Sequence, residues 1–138
     1  MGALTGLVVL DASQVMAGPF CAMHMADLGA DVIKIEPPGG EPTRHMPGAS
    51  GSDSPGFNAL NRGKRGIVLN LKTEAARDVF VRLARYADVV IENYRPGVMA
   101  EFGLDYPRLS AENPRLVYAS VSGYGQTGRQ ADRAAYAM

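Results

Sequence analysis

An open parallel α/β sheet with helices on both faces is the fold class this sequence predicts, and three observations predict it. Short apolar runs of four to six residues, rich in Val, Ile and Leu, recur along the chain, as strands buried on both faces of a parallel sheet do. Stretches with helical spacing or turn composition separate these runs, which is the alternation that builds βαβ units. At 138 residues, 46% hydrophobic and 20% charged, the chain also has the size and balance of one ordinary domain.

The first strand is read at 7–10. Gly18 and Pro19 end the turn after it: glycine accepts a close approach or a positive φ, and Pro19 is pre-set for the first position of a helix. That helix is read at 20–28, almost wholly apolar apart from His24 and Asp27. Gly29 closes it, and 31–36 is a second strand. Strand, helix and strand in so few residues make a βαβ unit, whose ligands sit past the carboxyl end of the first strand. The candidate ligand loop is therefore 11–18. Residues 37–55 are dense in Gly, Pro and Ser and far longer than a usual α/β connection. Composition leaves open an ordered functional loop, a lid or a linker, and the strand that follows favours a loop within one domain.

A helical turn at 57–61 leads to a third strand at 66–71, with apolar core positions and Lys72 at its end. Thr73 is the N-cap of an amphipathic helix at 74–85, with Ala76, Val79, Phe80 and Leu83 on one face. A fourth strand at 88–92 exits through a turn at 93–97. A short helix ending at Phe102, another at 106–112 and a fifth strand at 116–120 complete the alternation, and a Gly-rich stretch follows at 122–128.

Charge and cysteine content exclude several classes. Zero net charge and a pI near 6.7 argue against nucleic acid or an anionic membrane as the main partner. Cys21 is the sole cysteine, so no intrachain disulfide forms and a reducing, cytoplasmic setting is expected. No basic leader opens the chain, and no apolar run approaches the roughly 18 residues of a membrane helix.

Several residues invite chemistry, and each has a plainer use. Arg62, Lys64, Arg65, Lys72 and Arg95 stand at or near strand ends, where cations hold phosphates, although loop cations are usually only solvated. The stretch 122–128 offers backbone N–H groups to an anion but matches neither a Walker sequence nor GxGxxG. His24 reads as a core or interface residue, and His45 has no partner at metal spacing, so no metal is expected. Asp11, Glu36 and Glu92 end apolar strands as active-site carboxylates often do, and strand-end acids also cap helices and solvate turns. Residue by residue, the sequence implies an α/β domain that binds a phosphorylated ligand, with a non-catalytic nucleotide-binding module as the competing class.

One set of segments carries more: 4–11 (LTGLVVLD), 16–19 (MAGP), 28–39 (LGADVIKIEPPG), 61–65 (NRGKR), 69–72 (LNLK), 91–97 (IENYRPG) and 113–120 (NPRLVYAS). In this order they closely resemble the start of the family III CoA-transferases, which include CoA-transferases proper and 2-methylacyl-CoA racemases. The resemblance implies a Rossmann-like large domain of which residues 1–138 are the N-terminal part. It also implies a smaller domain further along a longer chain, and a homodimer of interlocked rings. Coenzyme A or acyl-CoA is the implied substrate, and a carboxylic acid the acceptor.

Carried over position by position, the family's CoA-contacting residues are Met16, Ala17, Leu69, Lys72, Asn93, Tyr94, Arg95 and Tyr136. Lys72 and Arg95 suit phosphates, while Met16, Leu69 and Tyr94 suit the adenine or pantetheine. Pro37 and Glu101 stand where the formyl-CoA enzyme has arginines, so further phosphate contacts are expected from Arg44, Arg62 or Arg65. The family's nucleophile is an aspartate that the resemblance puts after Met138. Racemases carry a histidine where this chain has Tyr136, and a tyrosine replaces an imidazole poorly at neutral pH, so transferase is expected over racemase.

Overall fold

The computed structural model describes residues 2–46 and 53–135. Among them, five parallel strands form one sheet: β1 (Val8–Asp11), β2 (Asp31–Glu36), β3 (Arg65–Val68), β4 (Val89–Glu92) and β5 (Val117–Ser120), in the order β3-β2-β1-β4-β5. Helices α1 (Ala17–Asp27), α2 (Pro55–Asn61), α3 (Glu74–Ala84), α4 (Val98–Glu101) and α5 (Tyr106–Glu112) connect them. Side chains alternate along β1, so Val9 and Leu10 enter different cores. Val9, Val32 and Ile91 pack with Ala22 of α1 on one face. Leu10, Ile35 and Val90 pack on the other with Phe80 and Ala84 of α3, Met99 of α4 and Leu109 of α5. The predicted doubly covered parallel sheet is the observed one.

Helix α1 begins at Ala17, three residues before the predicted start, so Pro19 is its third residue and not its first. A first-turn N–H has no partner inside the helix, so proline is tolerated there too. Gly18 answers a close approach: a Cβ on it would lie 2.2 Å from the Ser13 Cβ. At the other end Gly29, at φ +99°, closes the helix with bonds from its own N–H to Ala26 O and from the Ala30 N–H to Met25 O. Cys21 and His24 lie on the exposed side of α1, and His24 meets the Phe20 ring edge-on at 4.4 Å instead of entering the core.

Strand β3 is shorter than predicted and lies at the sheet edge, mostly exposed. Its neighbour β2 ends at Glu36, opposite Val68, and the buried Leu69 and Leu71 reach the core from the connection beyond it. Thr73 precedes α3 without capping it, because its hydroxyl donates to Asn70 O. The long connection after β2 belongs to this domain. It holds a 3-10 helix at Pro42–His45, and its two sides are joined by Arg44 to Asp53 at 2.6 Å and by the Ser54 N–H to Arg44 O at 3.0 Å. Among the described residues no helix is long and apolar enough to cross a membrane.

Candidate functional site

Connections leave β1 and β4 in opposite directions: β1 runs through α1 to β2 on one side, and β4 through α4 and α5 to β5 on the other. Neighbouring strands whose connections part this way leave a crevice at their carboxyl ends, where open α/β sheets bind ligands. The turn from Asp11 to Met16 and the turn from Asn93 to Gly97 form its walls.

A buried ionic network supports the first wall. The Asp11 carboxylate is fully buried and accepts from Lys64 Nζ at 2.8 Å, from the Ser13 N–H at 3.1 Å and from the Ser13 hydroxyl, with Lys34 Nζ at 3.5 Å. Lys64 also donates to Pro19 O and Asn61 Oδ1, both at 2.9 Å. Burial pushes its ammonium pKa below the ordinary value, against the pull of Asp11. Glu36, at the end of β2, takes a two-pronged bond from Arg44, 2.7 Å on each side, and this holds its carboxyl below the usual range. Arg44 also stacks over the Phe57 ring at 3.7 Å. Glu92 differs. It is buried at the end of β4 and accepts from the Tyr94 N–H at 2.8 Å, but it has no ion-pair partner among the described residues, and burial raises its pKa.

Two clefts open along the crevice. The larger, about 320 Å³, is lined by Ala17, Asn93, Tyr94, Arg95, Ser122 and Gly123 among others. The smaller, about 160 Å³, is lined by Gln14, Leu69, Lys72, Tyr94 and Phe102 among others. Tyr94 belongs to both, and its hydroxyl accepts from Gln14 Nε2 at 3.1 Å. Six of the eight CoA-contacting positions that the resemblance implies, Ala17, Leu69, Lys72, Asn93, Tyr94 and Arg95, thus line these two neighbouring clefts. Met16, the N-cap of α1, stands exposed beside Ala17, and Tyr136 lies outside the described residues.

The cations fall into two groups. Lys72 and Arg95 are exposed and in no ion pair among the described residues. Arg44, Arg62 and Arg65, the expected reserve for phosphates, are each bound to carboxylates: Arg44 to Glu36 at 2.7 Å, Arg62 to Asp27 at 2.5 Å and Arg65 to Asp31 at 2.6 Å. Arg65 opens β3 and Asp31 opens β2, so that pair sits at the amino end of the sheet, away from the crevice. Sequence reasoning missed Ser13, Lys34 and Glu41, which brace the first turn. Lys34 carried a readable signal, since a lysine between Ile33 and Ile35 in a central strand needs a buried partner, and Asp11 stands opposite it in the parallel register. His45 Nε2 donates to Gly39 O at 2.9 Å, and among the described residues no group of three His, Cys, Asp or Glu side chains is placed for a metal.

Fold and crevice together define an α/β domain of the doubly wound class. The chain belongs to CoA-transferase family III, whose family model matches residues 4–138. An acetyl-CoA:oxalate CoA-transferase of Acetobacter aceti is 51% identical over 136 residues, covering 98% of this chain and 35% of the relative. A succinyl-CoA:mesaconate CoA-transferase of Haloarcula marismortui is 47% identical over 130 residues, covering 91% of this chain and 33% of the relative. The crystal structure of a CaiB/BaiF family protein from Brucella suis matches with a TM-score of 0.93 at 44% identity, over 98% of this chain and 37% of that one. The chain therefore spans about a third of the length of the curated relatives it matches.

Proposed function

We propose that this chain is the CoA-binding part of an enzyme that moves coenzyme A from an acyl-CoA to a carboxylic acid. The observation that carries the reading is the pair of cations, Lys72 and Arg95, that form no ion pair among the described residues and line two clefts sharing Tyr94 at the carboxyl ends of the strands. Each cleft alone is small for a nucleotide with a long arm, so the ligand runs across both. Lys72 and Arg95 take phosphates. Met16, Leu69 and Tyr94 cover apolar parts of the ligand, Ala17 and Asn93 meet it along the turns, and Tyr136 extends the same contact set.

The chemistry proposed for the whole enzyme is covalent catalysis by a carboxylate following Met138. That carboxylate attacks the thioester carbonyl and expels CoA as thiolate, leaving a mixed anhydride. The thiolate attacks the enzyme's side of the anhydride, releases the first acid and forms an aspartyl-CoA thioester. The acceptor carboxylate then repeats the two steps in reverse and leaves as the new acyl-CoA. A smaller domain and an interlocked second copy complete the cytoplasmic enzyme in this reading.

Titration of the full-length protein with CoA by calorimetry tests it. Lys72→Ala and Arg95→Ala should each weaken binding by roughly 1–3 kcal/mol, the worth of a charge-assisted phosphate contact. Unchanged affinity in both variants removes the site assignment. In heavy water, exchange of CoA between an acyl-CoA and added acids should proceed without deuterium entering Cα, and the opposite outcome would make the enzyme a racemase.

A further inference from the structure

The turn between β1 and α1 holds a backbone conformation that its own residues disfavour. Val15 sits at φ +66°, and a β-branched side chain in the left-handed region is an outlier that its surroundings must enforce. Three side chains from three other segments grip three consecutive residues there. Lys34 of β2 donates to Ser13 O at 2.5 Å. Asn93, past β4, accepts from the Gln14 N–H and donates to Gln14 O, both at 2.7 Å. Glu41, in the loop after β2, accepts from the Val15 N–H at 2.6 Å.

Glu41 is the unexpected member. One of its oxygens, Oε2, caps the 3-10 helix by accepting from the Thr43 N–H at 3.2 Å and from the Thr43 hydroxyl. A cap needs no more than that and is equally satisfied in solvent. Yet Glu41 is 1% exposed, and its other oxygen reaches back 26 residues to the strained one. Its own position is set from below: its N–H donates to Glu36 Oε2 at 3.0 Å, and Glu36 is clamped by Arg44. Arg44 and Glu36 thus fix Glu41, and Glu41 fixes Val15. Immediately after Val15 come Met16 and Ala17, and Ala17 opens α1 and lines the larger cleft.

We infer that Glu41 is a positioning residue of the CoA site, which holds Val15 in its left-handed conformation and so sets the Met16–Ala17 wall of the cleft. The inference rests on the CoA reading above. It also couples the long loop to ligand binding, because any change that frees Arg44 from Glu36 loosens Glu41 and with it the turn.

A double-mutant cycle on the full-length protein, read by CoA calorimetry, tests this. Glu41→Ala should weaken CoA about tenfold, whereas Glu41→Gln, whose amide oxygen still accepts the Val15 N–H, should recover most of that loss. Val15→Gly removes the strain, since glycine adopts a positive φ unaided. In the Val15→Gly background the penalty of Glu41→Ala should therefore shrink to about twofold or less, a coupling that general destabilisation does not produce. An equal penalty in both backgrounds, or none in either, overturns the inference. If Glu41→Ala does not fold, the same cycle is run with Glu41→Gln against Glu41→Asp, whose shorter arm loses the Val15 contact. A wild-type protein that takes up no CoA overturns the functional reading itself, and is distinguished by that result from a failure of Glu41 alone.

Discussion

Asp11 and Glu92 end neighbouring strands, one paired residue apart in the ladder, and are 0% and 3% exposed. Their burial is the same and their surroundings are opposite. Asp11 has Lys64, Lys34 and the Ser13 hydroxyl within reach, so its charge is matched and held. Glu92 has the Tyr94 N–H and Ser120 beside it but no ion-pair partner among the described residues, and burial raises its pKa. The crevice is thus built asymmetrically. Its β1 wall rests on a fixed ionic frame, and its β4 wall rests on hydrogen bonds alone, which leaves Arg95 unclaimed by any carboxylate among the described residues.

The largest effect should come from breaking the ionic side. Asp11→Ala strands two buried ammonium groups, and removing one partner of a buried pair typically costs about 3–5 kcal/mol. Denaturant unfolding of the full-length protein measures it. If Glu92→Gln costs as much, the two carboxylates do not differ as described, and the asymmetry of the crevice is lost.

The next effect tests how far the frame extends. Glu36 is held below its ordinary pKa of 4.5, first by its hydrogen bonds from Arg44. A depressed acid contributes stability that is present above its unfolded value and lost as pH falls through its folded value. Wild-type protein should therefore lose stability below about pH 4.5, and Glu36→Gln should flatten that acid limb while costing about 1–3 kcal/mol near neutrality. The cost is smaller than for Asp11 because Arg44 is partly exposed and keeps Asp53. An unaltered acid limb would show that Glu36 does not carry the linkage.

The sheet was legible in the sequence, and the frame beneath its crevice was not. Runs such as VVL before Asp11 and VVI before Glu92 announce buried strands because burial on both faces leaves little room for polar residues. Periodicity carries no information on which edge a strand occupies, so of the apolar positions expected at 66–71 Val68 is exposed on the edge strand, while Leu69 and Leu71 are buried beyond its end. The frame depends on pairings at long range: Lys64 to Asp11 spans 53 residues and Glu41 to Val15 spans 26. Each of those residues alone has the composition of an ordinary loop or strand end. Of the cleft residues, Lys72 and Arg95 were legible as strand-end cations, whereas Leu69, Asn93 and Tyr94 came from family resemblance alone.

The smallest effect is the sharpest test of the contrast, because its sign is opposite. Glu92 holds its proton more tightly in the folded protein than its ordinary value of 4.5, chiefly through burial, with Ser120 and the Tyr94 N–H opposing. For a raised group the stabilising contribution is fully present below the unfolded value and is lost as pH rises through the folded one. Glu92 therefore makes the wild type less stable as pH climbs above 4.5, with a slope opposite in sign to that of Glu36, whose contribution fades once pH is well above its ordinary value. Glu92→Gln keeps an amide oxygen to accept the Tyr94 N–H, removes the buried charge and does not titrate. Its unfolding free energy should match wild type within about 1 kcal/mol at about pH 5 and equal or exceed it at about pH 7.5. A variant that loses more stability at the higher pH than at the lower would mean that Glu92 is ionised and paired after all, and that the β4 wall is as ionic as the β1 wall.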